Sequence, residues 1–153
     1  MRILFACVGN SCRSQMAEAF CHQMAVSASL PVSRRLGRDV ECSSAGSKPA
    51  SRVQPDTIAA MSEVGIDVSG ARPKSFKDLP DLGYDYVVTM GCEVDCPFVP
   101  GAKVVQWETP DPHGKGIEDY RRVRDLIRRR VRDLLDSLGL FAPGPRDDHQ
   151  PLG

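Results

Sequence analysis

The sequence predicts an α/β protein, a single domain with an open, mostly parallel four-stranded sheet and helices on both faces. Short β-rich apolar runs alternate with segments whose apolar residues recur at helical spacing, which is typical of a parallel sheet connected by helices. The 153 residues contain no internal repeat and suffice for one hydrophobic core. We expect this domain to cover residues 1–139. Residues 140–153 are rich in proline and polar residues, and this composition predicts a disordered tail.

The strands and helices are predicted in order along the chain. A buried strand covers residues 2–6, and a helix begins at Arg13. A second strand lies near residues 40–44, and a helix beginning at Pro55 is closed by Gly65. Strands at 84–90 and 102–107 precede a last helix over 118–138. Its apolar stripe consists of Tyr120, Val123, Ile127, Val131, Leu134 and Leu138.

Composition excludes several functional classes. Lysine plus arginine and aspartate plus glutamate number 20 each, so no excess charge favours nucleic acid or a membrane surface as a partner. The N-terminal apolar run is too short for a signal peptide or a membrane span. We therefore expect a cytoplasmic protein whose six cysteines are core residues, catalytic groups or metal ligands rather than a secreted disulfide framework.

The segment that follows the first strand has the spacing of an oxyanion-binding loop. Between Cys7 and Arg13 lie five residues, enough for their backbone N–H groups to curl around one point beside a helix N-terminus. Gly9 allows close backbone approach, and Asn10 tolerates a left-handed conformation. The planar guanidinium of Arg13 can bind two oxygens of a tetrahedral anion. The predicted anion loop, Cys7–Ser14, comprises Cys7, Val8, Gly9, Asn10, Ser11, Cys12, Arg13 and Ser14.

The same surroundings make Cys7 a candidate nucleophile. A helix N-terminus and nearby positive charge favour the thiolate over the thiol. The Ser14 hydroxyl can hydrogen-bond that thiolate, which would face a bound oxyanion as in covalent catalysis. The alternative is that Cys7 is an apolar residue at the end of a buried strand. The glycine, arginine and serine at these positions favour the nucleophile.

The run from Cys7 to Glu18 closely resembles the loop of arsenate reductases related to low-molecular-weight protein tyrosine phosphatases. The resemblance continues through Ser44-Ala45-Gly46, Val64–Asp67, Val87–Met90 and Asp111-Pro112, and covers roughly residues 1 to 138. The resemblance implies the fold of that family, with arsenate as the substrate and phosphate or sulfate as its analogues. It also assigns Asp111 as the general acid that protonates the departing oxygen. From the sequence pattern alone, Asp111 could equally be an ordinary turn aspartate.

The resemblance also gives Cys92 and Cys96 a role. In such reductases a second cysteine attacks the Cys7 adduct, and a third then takes over the disulfide. Cys96-Pro97 matches the third cysteine, whereas Cys92 follows an inserted Gly91 and lies closer to Cys96 than in thioredoxin-coupled members. Inert loop cysteines and a zinc site are the alternatives, but two cysteines are too few for zinc. The implied reductant is external: thioredoxin, or a low-molecular-weight thiol with a glutaredoxin-type system.

Other candidate residues are left with two interpretations. Some such reductases hold a potassium ion beside the loop, and the matching oxygens here belong to Asn10, Glu18, Ser44 and Asp67. The alternative is that Asn10 only braces the loop and Glu18 faces solvent. Cys12 could pair with the nucleophile or simply pack. Cys21 and Cys42 are expected to be core residues, and the three histidines receive no role.

Arsenate reduction through Cys7 with a Cys92/Cys96 relay is the predicted function. The runner-up is a protein tyrosine phosphatase that hydrolyses phosphomonoesters through a Cys7-phosphate intermediate. Weak phosphatase activity is also compatible with an arsenate reductase, because arsenate and phosphate share shape and charge. Ser11 and Gln15 match the reductases, and no aromatic pair follows Asp111 to hold a phosphotyrosine ring. A non-enzymatic phosphate-binding redox sensor is a third class, which would leave Cys7 chemically idle.

Overall fold

The computed structural model describes residues 1–25, 40–91 and 99–141 and contains a four-stranded sheet. The strands are β1 (Arg2–Cys7), β2 (Glu41–Gly46), β3 (Tyr86–Thr89) and β4 (Lys103–Gln106). Their order is β2-β1-β3-β4, and every pairing is parallel. The chain leaves β1 for β2 on one side and returns to β3 on the other. The carboxyl end of β1 is therefore the point where strand order reverses, the usual ligand position in open α/β sheets.

Within the described ranges, three α-helices and one 3₁₀ helix accompany the sheet. They are α1 (Arg13–Met24), α2 (Pro55–Ser62), the 3₁₀ helix Phe76–Asp78, and α3 (Ile117–Ser137). Proline suits the first turn of α2 because its missing N–H would have no partner there. Glu118 and Asp119 lie at the positive end of the α3 dipole, and Gly139 follows that helix with a φ of 69°. The α/β prediction is confirmed.

The two faces of β1 contribute to separate apolar clusters. Ile3, Phe5 and Cys7 pack with residues from α1, α2 and α3. Leu4 points the other way and packs with Val87 and residues beside the 3₁₀ helix. This alternation follows from the two-residue period of a strand. It places the Cys7 side chain on the face covered by α1.

The structure differs from the prediction in the buried face of α3 and in the end of the domain. The buried stripe of α3 continues from Val131 to Leu135, whereas Leu134 and Leu138 are only half-buried. A straight helix drifts relative to a seven-residue repeat, which brings Leu135 onto the core face. Leu140 is 5% exposed and belongs to the core, and Phe141 forms a bridge with Ala25. The ordered part of the chain thus extends beyond residue 139.

The prediction that Cys21 and Cys42 are only packing residues is wrong, because the two form a disulfide with a Cα–Cα distance of 6.2 Å. Cys21 lies on the buried side of α1, and Cys42 pairs in register with Ile3, whose face α1 covers. Packing of α1 against β2 therefore brings together two sulfurs that are 21 residues apart in sequence.

Several predictions concern residues outside the described ranges. These are the connection between α1 and β2 at 26–38, Cys92 and Cys96, and the tail beyond Phe141. In the described part of the chain, no helix is long and apolar enough to cross a membrane.

Candidate active site

The anion loop joins the end of β1 to the start of α1, as predicted. Asn10 has a φ of 49°, the left-handed conformation expected for it. The end of β2 lies so near the loop that a Cβ atom on Gly46 would be 2.4 Å from the Val8 carbonyl oxygen. Glycine is therefore required at position 46 by close backbone contact.

The carbonyl groups of the anion loop all bond to groups outside it. Five consecutive carbonyl oxygens, from Cys7 to Ser11, accept hydrogen bonds of 2.9–3.3 Å. In a trans peptide the N–H points opposite to the preceding carbonyl, so the N–H groups of residues 8–12 are directed into the loop. This arrangement builds an oxyanion cradle before any ligand is bound. The five donors are, in order, the N–H groups of Ser47, Lys48 and Ala50, the side-chain Nε2 of Gln15, and the N–H of Gln54.

Cys7 lies within this cradle and is 2% exposed. Its Sγ is 2.8 Å from Ser14 Oγ and accepts a hydrogen bond from the Asn10 N–H at 3.3 Å. Asn10 Nδ2 donates to Ser14 Oγ at 2.7 Å, which leaves the Ser14 hydroxyl proton available for the sulfur. The Ser14 hydroxyl and the Asn10 N–H are thus the two hydrogen-bonding groups that contact the sulfur.

The guanidinium of Arg13 connects the loop to the ends of two other strands. Its Nη1 donates to the Met90 carbonyl at 2.7 Å, just after β3, and to the Thr109 carbonyl at 3.1 Å, beyond β4. A Cβ atom on Gly91 would lie 2.8 Å from this nitrogen, so a side chain there would displace the arginine. Arg13 is held by backbone oxygens on one side and lines the anion cavity on the other.

A cavity of about 280 Å³ brings the predicted catalytic residues together. Cys7, Arg13 and Asp111 all line it. Asp111 is exposed, and its Oδ1 accepts a hydrogen bond from the His113 N–H at 3.1 Å. A carboxyl group beside the cavity of a buried thiol can serve as a general acid. His113, for which the sequence analysis predicted no role, also lines this cavity.

The comparison with known proteins identifies this arrangement. Residues 2–140 match the low molecular weight phosphotyrosine protein phosphatase family. The chain belongs to this family. A glutaredoxin arsenate reductase of Synechocystis sp. is 34% identical over 140 residues, which is 90% of this chain and 98% of that protein.

Two solved structures that are similar to this chain are also described as arsenate reductases. An arsenate reductase in the phosphate binding state shares 33% identity at a TM-score of 0.70, over 89% of this chain and 97% of that one. A thioredoxin-dependent arsenate reductase of Corynebacterium glutamicum shares 35% identity at a TM-score of 0.66, over 90% of this chain and 61% of that one. The resemblance seen in the anion loop is therefore confirmed along most of the chain.

The segment that carries Asp111 is fixed by α3. Arg130 Nη1 donates to the Glu108 carbonyl at 2.6 Å and to Thr109 Oγ1 at 3.1 Å. Since Arg13 bonds to the carbonyl of the same threonine, Thr109 is held from both sides two residues before Asp111. Sequence reasoning did not find Arg130, because nothing in a run of three arginines distinguishes the one that reaches the loop.

Several other supporting residues were also missed. Gln15 was recognised only as a match to the reductases, yet its Nε2 contacts both oxygens of Asn10. Thr57 Oγ1 donates to the Ser11 carbonyl, and the Tyr120 hydroxyl bonds to Gln54 Oε1. The only sequence signal for these residues was their position near predicted helix starts or on an apolar stripe.

Cys12 lines the same cavity as Cys7 but differs from it in its surroundings. Its side chain belongs to the apolar core, and burial raises the pKa of its thiol to about 12 although a hydrogen bond to Thr57 opposes the shift. Cys12 is therefore protonated at neutral pH and poorly nucleophilic. This favours packing over pairing with Cys7.

The residues proposed for potassium are only partly assembled. Glu18 and Ser44 are in contact, with Ser44 Oγ donating to Glu18 Oε1 at 3.0 Å. Asp67 is exposed and accepts a hydrogen bond from the Ser69 N–H. The Asn10 Oδ1 already accepts hydrogen bonds from the Lys74 N–H and Gln15 Nε2. The four oxygens that the resemblance suggested do not form one cation site.

Proposed function

We propose that this protein reduces arsenate to arsenite, with Cys7 as the nucleophile. The observation that carries the proposal is the cavity in which Cys7, Arg13 and Asp111 meet above a ring of inward-facing N–H groups. The similar proteins named above are arsenate reductases, which supports arsenate over a phosphate ester as the substrate. Arsenate and phosphate have the same shape and charge, so either would fit the cradle.

The first step forms a sulfur–arsenic bond. The N–H groups of the anion loop and the free side of Arg13 hold the arsenate oxygens. The Cys7 thiolate attacks arsenic, and a hydroxyl group of the arsenate leaves as water after accepting a proton from Asp111. Arsenic is still pentavalent in this adduct, so no electrons have yet been transferred.

The second step is the reduction and falls to Cys92 and Cys96. The Cys92 thiolate attacks Cys7 Sγ, and the electron pair of the sulfur–arsenic bond passes to arsenic, which leaves as arsenite. Cys96 then attacks the Cys92 sulfur, which frees Cys7 and produces a Cys92–Cys96 disulfide. Gly91, directly before Cys92, lines a second cavity of about 430 Å³ together with Arg13 and Asp111. Gly91 therefore lies beside the site where the adduct would form, and Cys92 is the next residue in the sequence.

An external thiol system must then reduce the Cys92–Cys96 disulfide. One similar protein is named a glutaredoxin arsenate reductase and another is described as thioredoxin-dependent. Both reductants are therefore to be tested, and a cytoplasmic location would supply either. If a low-molecular-weight thiol attacks the Cys7 adduct directly, Cys92 is not required for arsenite release.

The test is arsenate-dependent thiol oxidation by the purified protein, with thioredoxin and with a glutathione–glutaredoxin mixture supplied separately. We expect arsenite to appear with at least one system and Cys7→Ser to abolish it. Hydrolysis of p-nitrophenyl phosphate measures the competing phosphatase function. Fast ester hydrolysis without arsenate reduction in either system would refute the proposal and assign the site to a phosphatase.

Single-turnover mapping of disulfides tests the relay itself. Cys96→Ser should accumulate a Cys7–Cys92 disulfide, whereas the wild-type protein should accumulate Cys92–Cys96. Cys92→Ser should stop at the Cys7 adduct unless a small thiol is added. Normal turnover of both variants with thioredoxin as the only reductant would contradict the relay while leaving the role of Cys7 intact.

A further inference from the structure

A half-buried carboxylate, that of Glu18, lies behind the anion loop, on α1. The Glu18 side chain is only 20% exposed. Its Oε1 accepts a hydrogen bond from Ser44 Oγ at 3.0 Å and lies 3.6 Å from Lys74 Nζ, while His22 Nε2 is 3.6 Å from Oε2. Burial would raise the pKa of Glu18, but the bond to His22, the Lys74 charge and the Ser44 hydroxyl together lower it. Glu18 is therefore ionised and requires a cation beside it.

Lys74 is the residue that supplies this cation, and its backbone is attached to the anion loop. Its N–H donates to Asn10 Oδ1 at 2.9 Å, and its carbonyl accepts a hydrogen bond from the Gly46 N–H at 2.8 Å. Its Nζ also lies 3.5 Å from Ser44 Oγ. Asn10 in turn contacts Ser14, which contacts Cys7. A continuous chain of polar contacts therefore joins Lys74 to the nucleophile.

The arrangement does not fit a potassium ion. An alkali cation needs several oxygen ligands that have no other positive partner. Here the ammonium group of Lys74 lies against both Glu18 Oε1 and Ser44 Oγ, and Asp67 contributes nothing to the group. A lysine ammonium is a compact point charge with three donors, so it can satisfy the same oxygens.

We propose that Lys74 is a built-in replacement for an alkali cation, which neutralises Glu18 and keeps Asn10 and Ser14 in place behind Cys7. The stability of the anion loop then does not depend on potassium. This inference concerns the support of the loop and does not rest on arsenate being the substrate. Failure of the proposed function would leave it unaffected.

The first experiment compares the wild-type protein in potassium chloride and choline chloride at equal ionic strength. We expect the same Tm, the same sulfate affinity and the same alkylation rate of Cys7 in both salts. A selective gain with potassium in the wild-type protein would overturn the proposal, and this comparison needs no variant.

The second experiment removes the ammonium group. Lys74→Met should lower Tm in choline chloride by roughly 2–8 °C, as expected for an unpaired, partly buried carboxylate in a chain of this size. Potassium should restore part of that loss. Lys77→Met is the matched control, because Lys77 is exposed three residues away and should show no potassium response.

A double variant covers the case in which Lys74→Met does not fold. Combining Lys74→Met with Glu18→Gln removes both charges, so the protein should regain stability and lose any potassium response. A Lys74→Met protein that behaves like Lys77→Met, or a double variant that is less stable than Lys74→Met, would refute the role of Lys74.

Discussion

Replacement of Ser14 by alanine tests whether the hydroxyl stabilises the charged form of Cys7. Ser14 is fully buried, and its Oγ lies 2.8 Å from Cys7 Sγ and 2.7 Å from Asn10 Nδ2. A hydrogen bond to a charged group contributes about 1.5–3 kcal/mol. Since about 1.4 kcal/mol corresponds to a factor of ten, Ser14→Ala should slow alkylation of Cys7 at pH 7 by roughly 10- to 150-fold.

The assay is the rate of iodoacetamide labelling with mass mapping, at pH 7 and again at pH 10. The variant and the wild-type protein should differ strongly at pH 7 and converge at pH 10. Ser11→Ala is the matched control, because that hydroxyl belongs to the same loop but contacts Gln54 rather than Cys7. Equal labelling of Ser14→Ala and wild type at pH 7 would refute the reasoning.

Three further changes test the rest of the site and its support. Asp111→Asn should lower turnover by roughly 10²–10⁴-fold, the range of a general acid, while calorimetry shows nearly unchanged phosphate binding; a purely weakened affinity would contradict the assignment. Arg130→Met should lower kcat about ten- to a hundredfold through displacement of the Asp111 segment, whereas Arg129→Met, at an exposed position, should not. Glu63→Gln should lower Tm at pH 7, because two arginines of α3 lower the pKa of Glu63 from 4.5 to about 2. That contribution is complete above about pH 4.5 and is lost as pH falls through 2, so a Tm difference that is as large at pH 2 as at pH 7 would contradict it.

The sequence was sufficient to predict what is local. The anion loop was found because Cys7, Asn10, Arg13 and Ser14 lie within eight residues, and their chemistry depends on one strand end and one helix start. The parallel sheet followed from the alternation of apolar runs. The role of Asp111 could be predicted only from the family resemblance, since an aspartate between two prolines is also common in ordinary turns.

The sequence could not predict what depends on packing between distant segments. Four of the five hydrogen bonds that orient the loop come from backbone N–H groups of residues 47–54, which any residue except proline would supply. Lys74 reaches Glu18 across 56 positions, and no spacing rule connects them. The Cys21–Cys42 bond likewise depends on how α1 lies over β2.

That disulfide sets the baseline for every redox measurement on the protein. Cys42 pairs with Ile3, four residues along the strand from Cys7, a distance of about 13 Å at the rise of a β-strand. Cys21 and Cys42 are 0% and 6% exposed, so a protein reductant cannot reach their sulfurs in the folded state. Of the six cysteines, at most four are then left to titrate in the resting protein. One round of arsenate reduction should oxidise two of those thiols. If the free thiols of a sample were compared with all six cysteines, the protein would seem to be partly oxidised before arsenate was added.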